Sequence, residues 1–342
     1  MYNLNKGTTE FMELCKKEVD PVINKLLQTH SGKRYSDVIS HQVETGGKRL
    51  RPVFLFLSCK ILGGEMKDAV YPAAAIEIMH NYTLIVDDII DHSETRRGKP
   101  TLWKKYGRSV TDCVGMQYAA SVFEGASLSV HPVRISGIMV DTLKNIIDGE
   151  IIDVIQERAG REDEKFVSEN RYTEITLDDY LEMVTKKTAK LFEACFEIGG
   201  VCANGSEEEI DALKDYGMNL GISFQICDDI LDIFGDEEKF GKKIGKDIEE
   251  RKGGNLVILL ALEQLKGEKK ERLKNILSKS ILENEDIKEA VELIKESGAK
   301  ERAQALGEEY VKKGKESIAS LPENEWKEMM LDFANYIISR DK

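Results

Sequence analysis

The sequence of 342 residues has few of the features that mark redox, zinc or membrane proteins. Its six cysteines include no CxxC pair and its five histidines no HExxH motif, so zinc and disulfide chemistry have no support. The apolar run at 256–262 reaches only seven residues, which is too short to span a bilayer. The first ten residues lack the apolar core of a signal peptide. We therefore predict a soluble, cytoplasmic protein with reduced cysteines and no stable membrane insertion.

The chain also lacks flexible linkers and an excess of positive charge. It has six prolines and no segment rich in proline, glycine and serine, which predicts one domain over residues 1–342. Within it we expect an N-terminal helix in 1–35 and outer helices in 265–342. A net charge of −13 argues against nucleic acid or an anionic membrane surface as a partner. The absence of a GxxxxGKS/T loop and of a kinase signature argues against nucleotide phosphoryl transfer.

Helical periodicity dominates what the sequence does contain. Apolar residues recur at the spacing of one helix face in Ile287, Ala290, Val291 and Ile294. Similar stripes run through 11–27, 53–62, 73–90, 137–155, 180–198 and 210–234. The alternation typical of strands is nearly absent, so the predicted fold class is all-α. The charged, weakly periodic stretch 158–176 predicts an exposed loop or the margin of a lid.

Two copies of one acidic pentapeptide carry most of the functional information, DDIID at 87–91 and DDILD at 228–232. Each copy lies within an apolar stretch, where carboxylates are rare unless something pairs with them or coordinates them. On a helix, the first and last aspartates of each copy fall on one face. Aspartate also caps helix N-termini, but neither copy begins a helical stripe. Because carboxylate oxygens and water suit magnesium, the pair predicts two halves of one magnesium site.

Basic segments accompany the acidic motifs. GGKRLRP at 46–52 contains three cations, and the stretch 96–108 contains six cations and no acid. Further lysines lie at 186–187, at 242–246 and at 252. Arginine suits bidentate contact with phosphate, and lysine acts as a compact point charge. Magnesium beside such cations predicts a site that binds a diphosphate as a leaving group, with an apolar helical cavity for its tail.

These motifs, in this order, resemble those of the trans-isoprenyl diphosphate synthases, the polyprenyl synthetase family. The similarity covers roughly 36–342, and its motifs are GGKRLRP at 46–52, DDIID at 87–91, RRGKPT at 96–101, KT at 187–188, FQICDDILD at 224–232 and KKIGKDIEERK at 242–252. The resemblance implies a single-domain, isoprenoid synthase-type helical bundle around a central cavity. It also implies a prenyltransferase that forms a homodimer and uses three Mg²⁺ ions in each active site.

The resemblance further implies roles for individual residues. The metal ligands would be Asp87, Asp88, Asp91, Asp228, Asp229 and Asp232. Contacts with the allylic diphosphate would come from Arg96, Lys187 and Lys243, and Lys252 would also bind substrate. The diphosphate of isopentenyl diphosphate would be held by Lys48, Arg51, His80 and Arg97. Thr188 and Gln225 would line the reacting region, where their dipoles favour a developing allylic cation.

The implied reaction is ionisation, condensation and elimination, with the released pyrophosphate accepting the last proton. In this family, bulky residues just before the first acidic motif form a floor for the growing tail. Tyr82 is bulky and lies about 7.5 Å from Asp87 along a helix axis, whereas Thr83 is small. This combination favours geranylgeranyl diphosphate as the product. The alternative is a farnesyl product or one of 25 carbons or more.

Two other interpretations stay open at this point, a class I terpene cyclase and a non-catalytic subunit of another synthase. Both are disfavoured because two complete acidic motifs occur together with GGKRLRP. The sequence departs from the family pattern at Val86, where many relatives have histidine. It departs again at Glu150, which replaces a frequent glutamine and adds negative charge near the site. Neither departure removes an implied metal ligand.

Overall fold

A computed structural model of the protein describes residues 4–235, 244–279 and 281–339. The helices are α1 (Lys6–Gln28), a 3₁₀ turn (Lys33–Tyr35), α2 (Ser36–Glu44), α3 (Leu50–Ile61), α4 (Met66–Ile90), α5 (Leu102–Tyr106), α6 (Arg108–Ser127), α7 (Pro132–Gln156), α8 (Lys165–Asn170), α9 (Leu177–Val184), a π-helical turn (Thr185–Ala189), α10 (Lys190–Cys202), α11 (Glu207–Phe234), α12 (Lys246–Glu249), α13 (Leu256–Gln264), α14 (Gly267–Leu277), α15 (Asn284–Lys295), α16 (Ala299–Ser317) and α17 (Glu325–Ser339). Between α4 and α5, β1 (Thr95–Arg96) pairs antiparallel with β2 (Lys99–Pro100). The predicted all-α class is confirmed.

The longest helix, α11, shows how local sequence signals place an acidic motif. Ser206 and Glu209 form a capping box that satisfies the first N–H groups of this helix. From there, apolar residues recur on its buried faces as far as Ile233. The motif at 228–232 therefore lies near the C-terminal end, and the motif at 87–91 has the same place on α4. Neither set of aspartates caps a helix N-terminus, as the sequence predicts.

The centre of the bundle is α10, which packs against α3, α7 and α11, while α4 packs against α3 and α6. Phe54 of α3 contacts three aromatic rings, those of Phe192, Phe196 and Phe333, at centroid distances of 5.2 to 5.6 Å. Burying a side chain of this size contributes about 1.5–3 kcal/mol. Aromatic pairs at these distances add to that burial. This contact holds α3, α10 and α17 together.

Two clusters of buried apolar side chains make up the core, and α7 and α11 contribute to both. On α7, Ile146 belongs to one cluster and Ile152 to the other. On α11, Cys227 belongs to the same cluster as Ile146, and Ile226 belongs to the same cluster as Ile152. The polar residues that these two helices carry between the clusters are therefore fixed by packing on both sides.

Most of the predicted stripes coincide with single helices, but the structure differs from the prediction in two places. The stripe at 180–198 is interrupted by the π-helical turn, which the periodic pattern did not predict. The prediction that 158–176 forms an exposed loop is wrong in part, because α8 lies there and Val167 and Ile175 are buried. Among the helices in the described ranges, none has the length and hydropathy that crossing a bilayer requires.

Candidate active site

The first acidic motif lies at the C-terminal end of α4. Asp87 and Asp88 occupy the last turn of this helix, and Asp91 is its C-cap. The Asp91 N–H donates a hydrogen bond to the Asp87 carbonyl at 2.8 Å. Burial and the nearby Glu150 carboxylate raise the pKa of Asp87 to about 8. Asp88 is also buried, and its Oδ2 atom has no hydrogen-bond partner among the described residues. The protein alone thus stabilises these carboxylates poorly.

The hairpin that follows α4 places the guanidinium group of Arg96 beside this motif. Arg97 and Gly98 form its two-residue turn with positive φ angles, the backbone geometry that matches the twist of paired strands. As a result, Arg96 on β1 reaches back to α4. Its Nη2 and Nε atoms lie 2.7 and 2.8 Å from Asp88 Oδ1. This ion pair holds a guanidinium beside the motif, next to the charges of Asp87 and Asp91.

Lys187 enters the site from the π-helical turn between α9 and α10. The backbone of this turn lies against Gly149 of α7, where a Cβ atom would come within 2.4 Å of the Lys187 nitrogen. Only glycine permits so close an approach. Lys187 Nζ lies 2.6 Å from Glu150 Oε2 and 2.6 Å from Asp153 Oδ2. Burial lowers the pKa of Lys187, but Asp153 and Glu150 outweigh it and raise this pKa well above its usual value.

Lys252 joins α4 to α7 from the segment between α12 and α13. Its Nζ atom lies 3.0 Å from Asp91 Oδ1, 3.1 Å from Asp153 Oδ2 and 3.9 Å from Glu157 Oε1. The neighbouring Gly253 packs on the last turn of α7, where a Cβ atom would come within 1.9 Å of a carbonyl oxygen. Burial raises the pKa of Asp153, but Lys187 and Lys252 together lower it well below its usual range.

In the second motif, Asp229 is the end of a hydrogen-bond chain. Thr188 Oγ1 donates to Gln225 Oε1 at 3.0 Å, and Gln225 Nε2 donates to Asp229 Oδ1 at 2.9 Å. The Leu256 N–H at the start of α13 donates to Asp229 Oδ2 at 2.9 Å. The chain fixes the orientation of the Gln225 amide and of the Thr188 hydroxyl. Burial and the nearby Asp247 carboxylate raise the pKa of Asp229 well above its usual value.

The other aspartates of the second motif connect it to separate parts of the site. Asp232 is buried and accepts a hydrogen bond from the Asp247 N–H at 3.2 Å, while its carbonyl accepts one from the Gly245 N–H at 2.7 Å. These bonds place the segment before Lys252 beside the end of α11. The charge of Asp228 acts on Arg51 of α3. The second motif therefore borders the basic residues of 46–52.

The GGKRLRP segment contains one structural arginine among its cations. Arg49 is buried, with its Nε atom 2.9 Å from Asp20 Oδ1 and its Nη1 atom 3.2 Å from Glu77 Oε1. By contrast, Lys48 is exposed and donates to the Tyr336 hydroxyl of α17 at 3.1 Å. Arg49 thus anchors the loop in the core, and Lys48 lies at the surface.

Beside this loop, three cations surround a histidine. Burial and the charges of Arg51, Arg97 and Arg96 lower the pKa of His80 well below its usual value, so its imidazole is neutral. The Arg51 guanidinium lies 5.4 Å from the Phe192 ring centroid, and its Nε atom is buried without a hydrogen-bond partner among the described residues. Arg97 Nη1 donates to a carbonyl of the glycine turn. The cluster concentrates positive charge where α3, α4 and the hairpin meet.

Comparison with known proteins identifies the family to which this site belongs. Residues 32–294, well over half of the chain, match the model of the polyprenyl synthetase family. The chain belongs to this family. A short chain isoprenyl diphosphate synthase of Methanothermobacter thermautotrophicus is 34% identical over 305 residues, which cover 88% of this chain and 89% of the relative.

Two solved structures of polyprenyl synthetases show the same fold. The geranylgeranyl pyrophosphate synthetase of Pyrococcus horikoshii has a TM-score of 0.84 at 33% identity, covering 97% of this chain and 98% of the other. The polyprenyl synthase of Caulobacter crescentus, crystallised with calcium and isoprenyl diphosphate, has a TM-score of 0.88 at 29% identity and is covered in full. The protein is therefore a trans-prenyltransferase of a family that uses isoprenyl diphosphate substrates.

Polyprenyl synthetases use divalent metal ions, and the residues present fit such ions. The donors are carboxylate oxygens, and three of them, Asp88 Oδ2 and both Glu150 oxygens, are buried without a hydrogen-bond partner in the described ranges. Within those ranges, no three histidine, cysteine or acidic side chains converge into a preformed metal site. Magnesium commonly binds one or two carboxylates together with water and substrate phosphates, so this arrangement fits an ion that arrives with a diphosphate.

Tyr82 and Thr83 lie on α4, before the acidic motif. The Tyr82 ring lies against α6, 3.5 Å from the position that a Cβ atom would take at Gly115. Thr83 Oγ1 donates to the His80 carbonyl at 2.9 Å and fills little space. Tyr82 is partly buried and packs against the main core. It therefore fills the gap between α4 and α6, about one and a half helical turns from Asp87.

The structure brings many of the predicted residues into direct contact. The pairs and chains are Asp88 with Arg96, Asp91 with Lys252, and Thr188 with Gln225 and Asp229. His80, Arg51 and Arg97 form one cluster, beside which Lys48 lies. Lys243 lies outside the described residues.

Sequence reasoning missed Asp153, Glu157 and the structural role of Arg49. The acids on α7 did leave a signal, because 150, 153 and 157 have the i, i+3, i+7 spacing of one helix face within an otherwise apolar helix. Nothing in GGKRLRP distinguishes Arg49 from its neighbours, since its burial depends on Asp20 and Glu77 from two other helices.

Proposed function

We propose that this polyprenyl synthetase condenses isopentenyl diphosphate with an allylic diphosphate and makes geranylgeranyl diphosphate as its main product. The proposal rests mainly on one observation: the aspartate-rich ends of two helices share a site with cations from several separate segments. Those cations are Arg51 on α3, Arg96 on β1, Lys187 on the π-helical turn and Lys252 before α13. A diphosphate is the ligand that requires carboxylate-bound metal ions and basic side chains together.

The proposed ligands of the divalent ions are Asp87, Asp88, Asp91, Asp228, Asp229 and Asp232. We propose Mg²⁺ as the ion, three in each site, as the family resemblance implies. The calcium in the crystal structure of the Caulobacter relative supports a divalent ion here. When bound, such ions neutralise the negative charge that develops on the departing diphosphate. Asp229 already accepts a hydrogen bond on each oxygen, so a cation would use the second lone pair of one of them.

The basic residues divide into two proposed diphosphate sites. Arg96, Lys187 and Lys243 would bind the allylic diphosphate, with Lys252 beside them. Lys48, Arg51, His80 and Arg97 would bind isopentenyl diphosphate. A neutral His80 supports this assignment, because it donates a hydrogen bond without adding to the repulsion among the arginines.

The allylic cation would form near Thr188 and Gln225. Their shared hydrogen bond, anchored at Asp229, holds two side-chain dipoles in place before the substrate arrives. Preorganised dipoles of this kind favour a developing charge without reorganising. The double bond of isopentenyl diphosphate then attacks the cation, and a proton leaves to the released pyrophosphate. The apolar side chains of α4 and α11 around the motifs keep water from quenching the cation.

Product length is the finer part of the proposal. The position of the Tyr82 ring against α6 supports its role as the floor for the tail, with Thr83 leaving space beside it. The Pyrococcus relative, named a geranylgeranyl pyrophosphate synthetase, supports a product of twenty carbons.

The experiment that tests this function is product analysis. The purified chain would be incubated with Mg²⁺, labelled isopentenyl diphosphate and one of dimethylallyl, geranyl or farnesyl diphosphate, and the dephosphorylated products would be sized by chromatography. We expect geranylgeraniol as the final product. A ladder of longer products would refute Tyr82 as the floor, and no elongation with any primer would refute the proposed reaction.

We also propose that the chain acts as one cytoplasmic domain and forms a homodimer through α6 and α7. Supporting this, eight of the twelve large apolar side chains exposed in the described ranges lie between 110 and 151, on these helices or the turn between them. They include Met116 and Phe123 on α6 and Val133, Ile147 and Ile151 on α7. An apolar surface of this kind on a soluble protein marks an interface.

Light scattering of the purified chain tests the dimer. We expect twice the mass of the 38.6 kDa chain. Met116→Glu with Phe123→Glu should shift the protein toward the monomer, while Phe166→Glu, an exposed apolar site on α8, should not. A monomeric parent protein at micromolar concentration would contradict the proposal.

A further inference from the structure

Glu150 is a buried acid to which the proposed function gives no role. It is 8% exposed, its Oε2 atom lies 2.6 Å from Lys187 Nζ in an ion pair, and neither of its carboxylate oxygens has a hydrogen-bond partner among the described residues. Asp153, one turn further along α7, contacts the same ammonium at 2.6 Å. After burial itself, Glu150 has the largest influence on the Asp87 carboxylate. A buried carboxylate that has an ion pair but no hydrogen bond is costly to the fold, which points to a role in ligand binding.

The contacts of Lys187 show what Glu150 does to the diphosphate site. A lysine ammonium has three N–H donors, of which one is hydrogen-bonded to Asp153, while Glu150 forms an ion pair with the same ammonium at 2.6 Å. A diphosphate that approaches Lys187 must therefore displace at least one of these carboxylates or bind to a side of the ammonium that they leave open. It must also approach the combined charge of Glu150, Asp87 and Asp91, which all act on Lys187. The site in this form opposes a bare diphosphate.

A divalent cation reverses that opposition. Bound there, it would neutralise the carboxylates that repel the diphosphate, and it would offer a ligand position to the Glu150 oxygens, which have no hydrogen-bond partner among the described residues. The same extra negative charge that weakens binding of the bare anion strengthens binding of the cation. By linkage, the two effects appear together as a larger coupling between cation and anion.

We propose that Glu150 makes diphosphate binding strongly dependent on divalent cations, by holding Lys187 in an ion pair and by adding one negative charge to the cation side of the site. The inference rests on the proposed function, since it concerns the same diphosphate site. It differs from the metal assignment of the two aspartate motifs because it adds a residue from a third helix, α7.

Calorimetric titration with inorganic pyrophosphate tests the proposal without any turnover. The dissociation constant is measured in EDTA and at saturating Mg²⁺, and the ratio of the two is the coupling factor. Glu150→Gln keeps the shape of the side chain and removes its charge, leaving Asp153 to hold Lys187. We expect the coupling factor to fall by about tenfold, the order of magnitude that one charge exerts a few ångströms away in a partly solvated site. Most of the fall should come from tighter binding in EDTA.

Asp148→Asn is the matched control. Asp148 lies on the same helix, is exposed, and pairs with Lys186 at 2.7 Å, next to Lys187 in the chain. It removes the same charge two residues away, and the coupling factor should stay within twofold of the parent value. Glu150→Ala is a second variant that removes the charge, and its coupling factor should fall as in Glu150→Gln.

The outcomes separate this inference from the proposed function. A parent protein that binds no pyrophosphate even with Mg²⁺ refutes the diphosphate site, and the inference with it. A parent that binds pyrophosphate, with an unchanged coupling factor in both Glu150 variants, overturns the inference alone. An equal fall in Asp148→Asn also overturns it, because the effect would then be one of general charge. Circular dichroism confirms that each variant is folded.

Discussion

Replacing Arg49 by methionine should destabilise the protein more than any other single change in the GGKRLRP loop. Arg49 is 8% exposed and joins three segments, through Asp20 on α1, Glu77 on α4 and the Val43 carbonyl on α2. Methionine keeps most of the side-chain volume, so the change removes the charge and the hydrogen bonds with little effect on packing. It leaves the Glu77 carboxylate, whose side chain is 5% exposed, without its ion-pair partner, and only the charges of Arg51 and Arg97 still act on it.

The magnitude follows from the burial of Glu77. Removing one member of a buried ion pair costs about 3–5 kcal/mol, because an uncompensated charge stays behind. Asn81 still donates to Glu77 Oε1 at 3.3 Å, which places the expected loss toward the lower end. Asp20 is 32% exposed, so losing its ion pair with Arg49 costs at most about 1 kcal/mol. We therefore expect Arg49→Met to lower the free energy of unfolding by about 3 kcal/mol and Asp20→Asn by less than 1 kcal/mol.

Urea unfolding at two pH values measures how much stability Arg49→Met loses and tests whether the Glu77 carboxylate causes the loss. Burial already raises the pKa of Glu77, and loss of Arg49 raises it further. A carboxyl group with a raised pKa in the folded state binds its proton more tightly there, so its stability contribution is lost as pH rises through that pKa. The effect of Arg49→Met should thus be larger at pH 8 than at pH 5. Adding Glu77→Gln should restore much of the loss. A loss below 1 kcal/mol, or no rescue by Glu77→Gln, would refute this account of the loop.

Three further predictions concern the acidic motif and its floor. Asp87→Ala should lower the turnover number by at least about 100-fold with the fold intact, because it removes a proposed metal ligand; near-normal turnover would contradict that role. In EDTA, the parent protein should lose stability as pH rises from about 5 to 8, since burial and Glu150 raise the pKa of Asp87 to about 8. Urea unfolding of Asp87→Asn should show a shallower pH dependence, and an equal slope would exclude Asp87 as its source. Tyr82→Ala should lengthen the product distribution seen by chromatography, whereas Thr83→Ser should not; an unchanged distribution would place the floor elsewhere.

The sequence predicted the helices because their signals are local. The stripes of α1, α4, α7 and α11 follow a period that needs no tertiary contact to be seen. The π-helical turn at 185–189 gave no such signal. Its backbone lies against Gly149 on another helix, and that contact is visible only in the folded chain. The buried positions within 158–176 were missed for the same reason.

The candidate site was predictable in its residue types but not in its pairing. The motifs correctly indicated that acids and cations share one place, and the pairs Asp88 with Arg96 and Asp91 with Lys252 follow that expectation. The sequence could not show that Lys187 is shared by two acids on α7. Such sharing depends on the approach of three helices, which no spacing along the chain encodes.

The position of both motifs at helix C-termini supports the proposal that their aspartates bind cations. The C-terminal end of a helix carries partial negative charge, so each carboxylate placed there is disfavoured by about 0.3–1 kcal/mol. Both motifs place carboxylates where the helix dipole disfavours negative charge. Burial of Asp88, Asp229 and Asp232 adds a desolvation cost to that of the dipole. Conflicts between local rules and the fold concentrate at functional sites. A ligand that relieves the conflict binds the folded state alone and stabilises it by about 2.7 kcal/mol at one hundred times its dissociation constant. Mg²⁺ with pyrophosphate should therefore raise the melting temperature of the parent protein and raise it less in Asp87→Ala, because the carboxylate that the cation compensates is then absent.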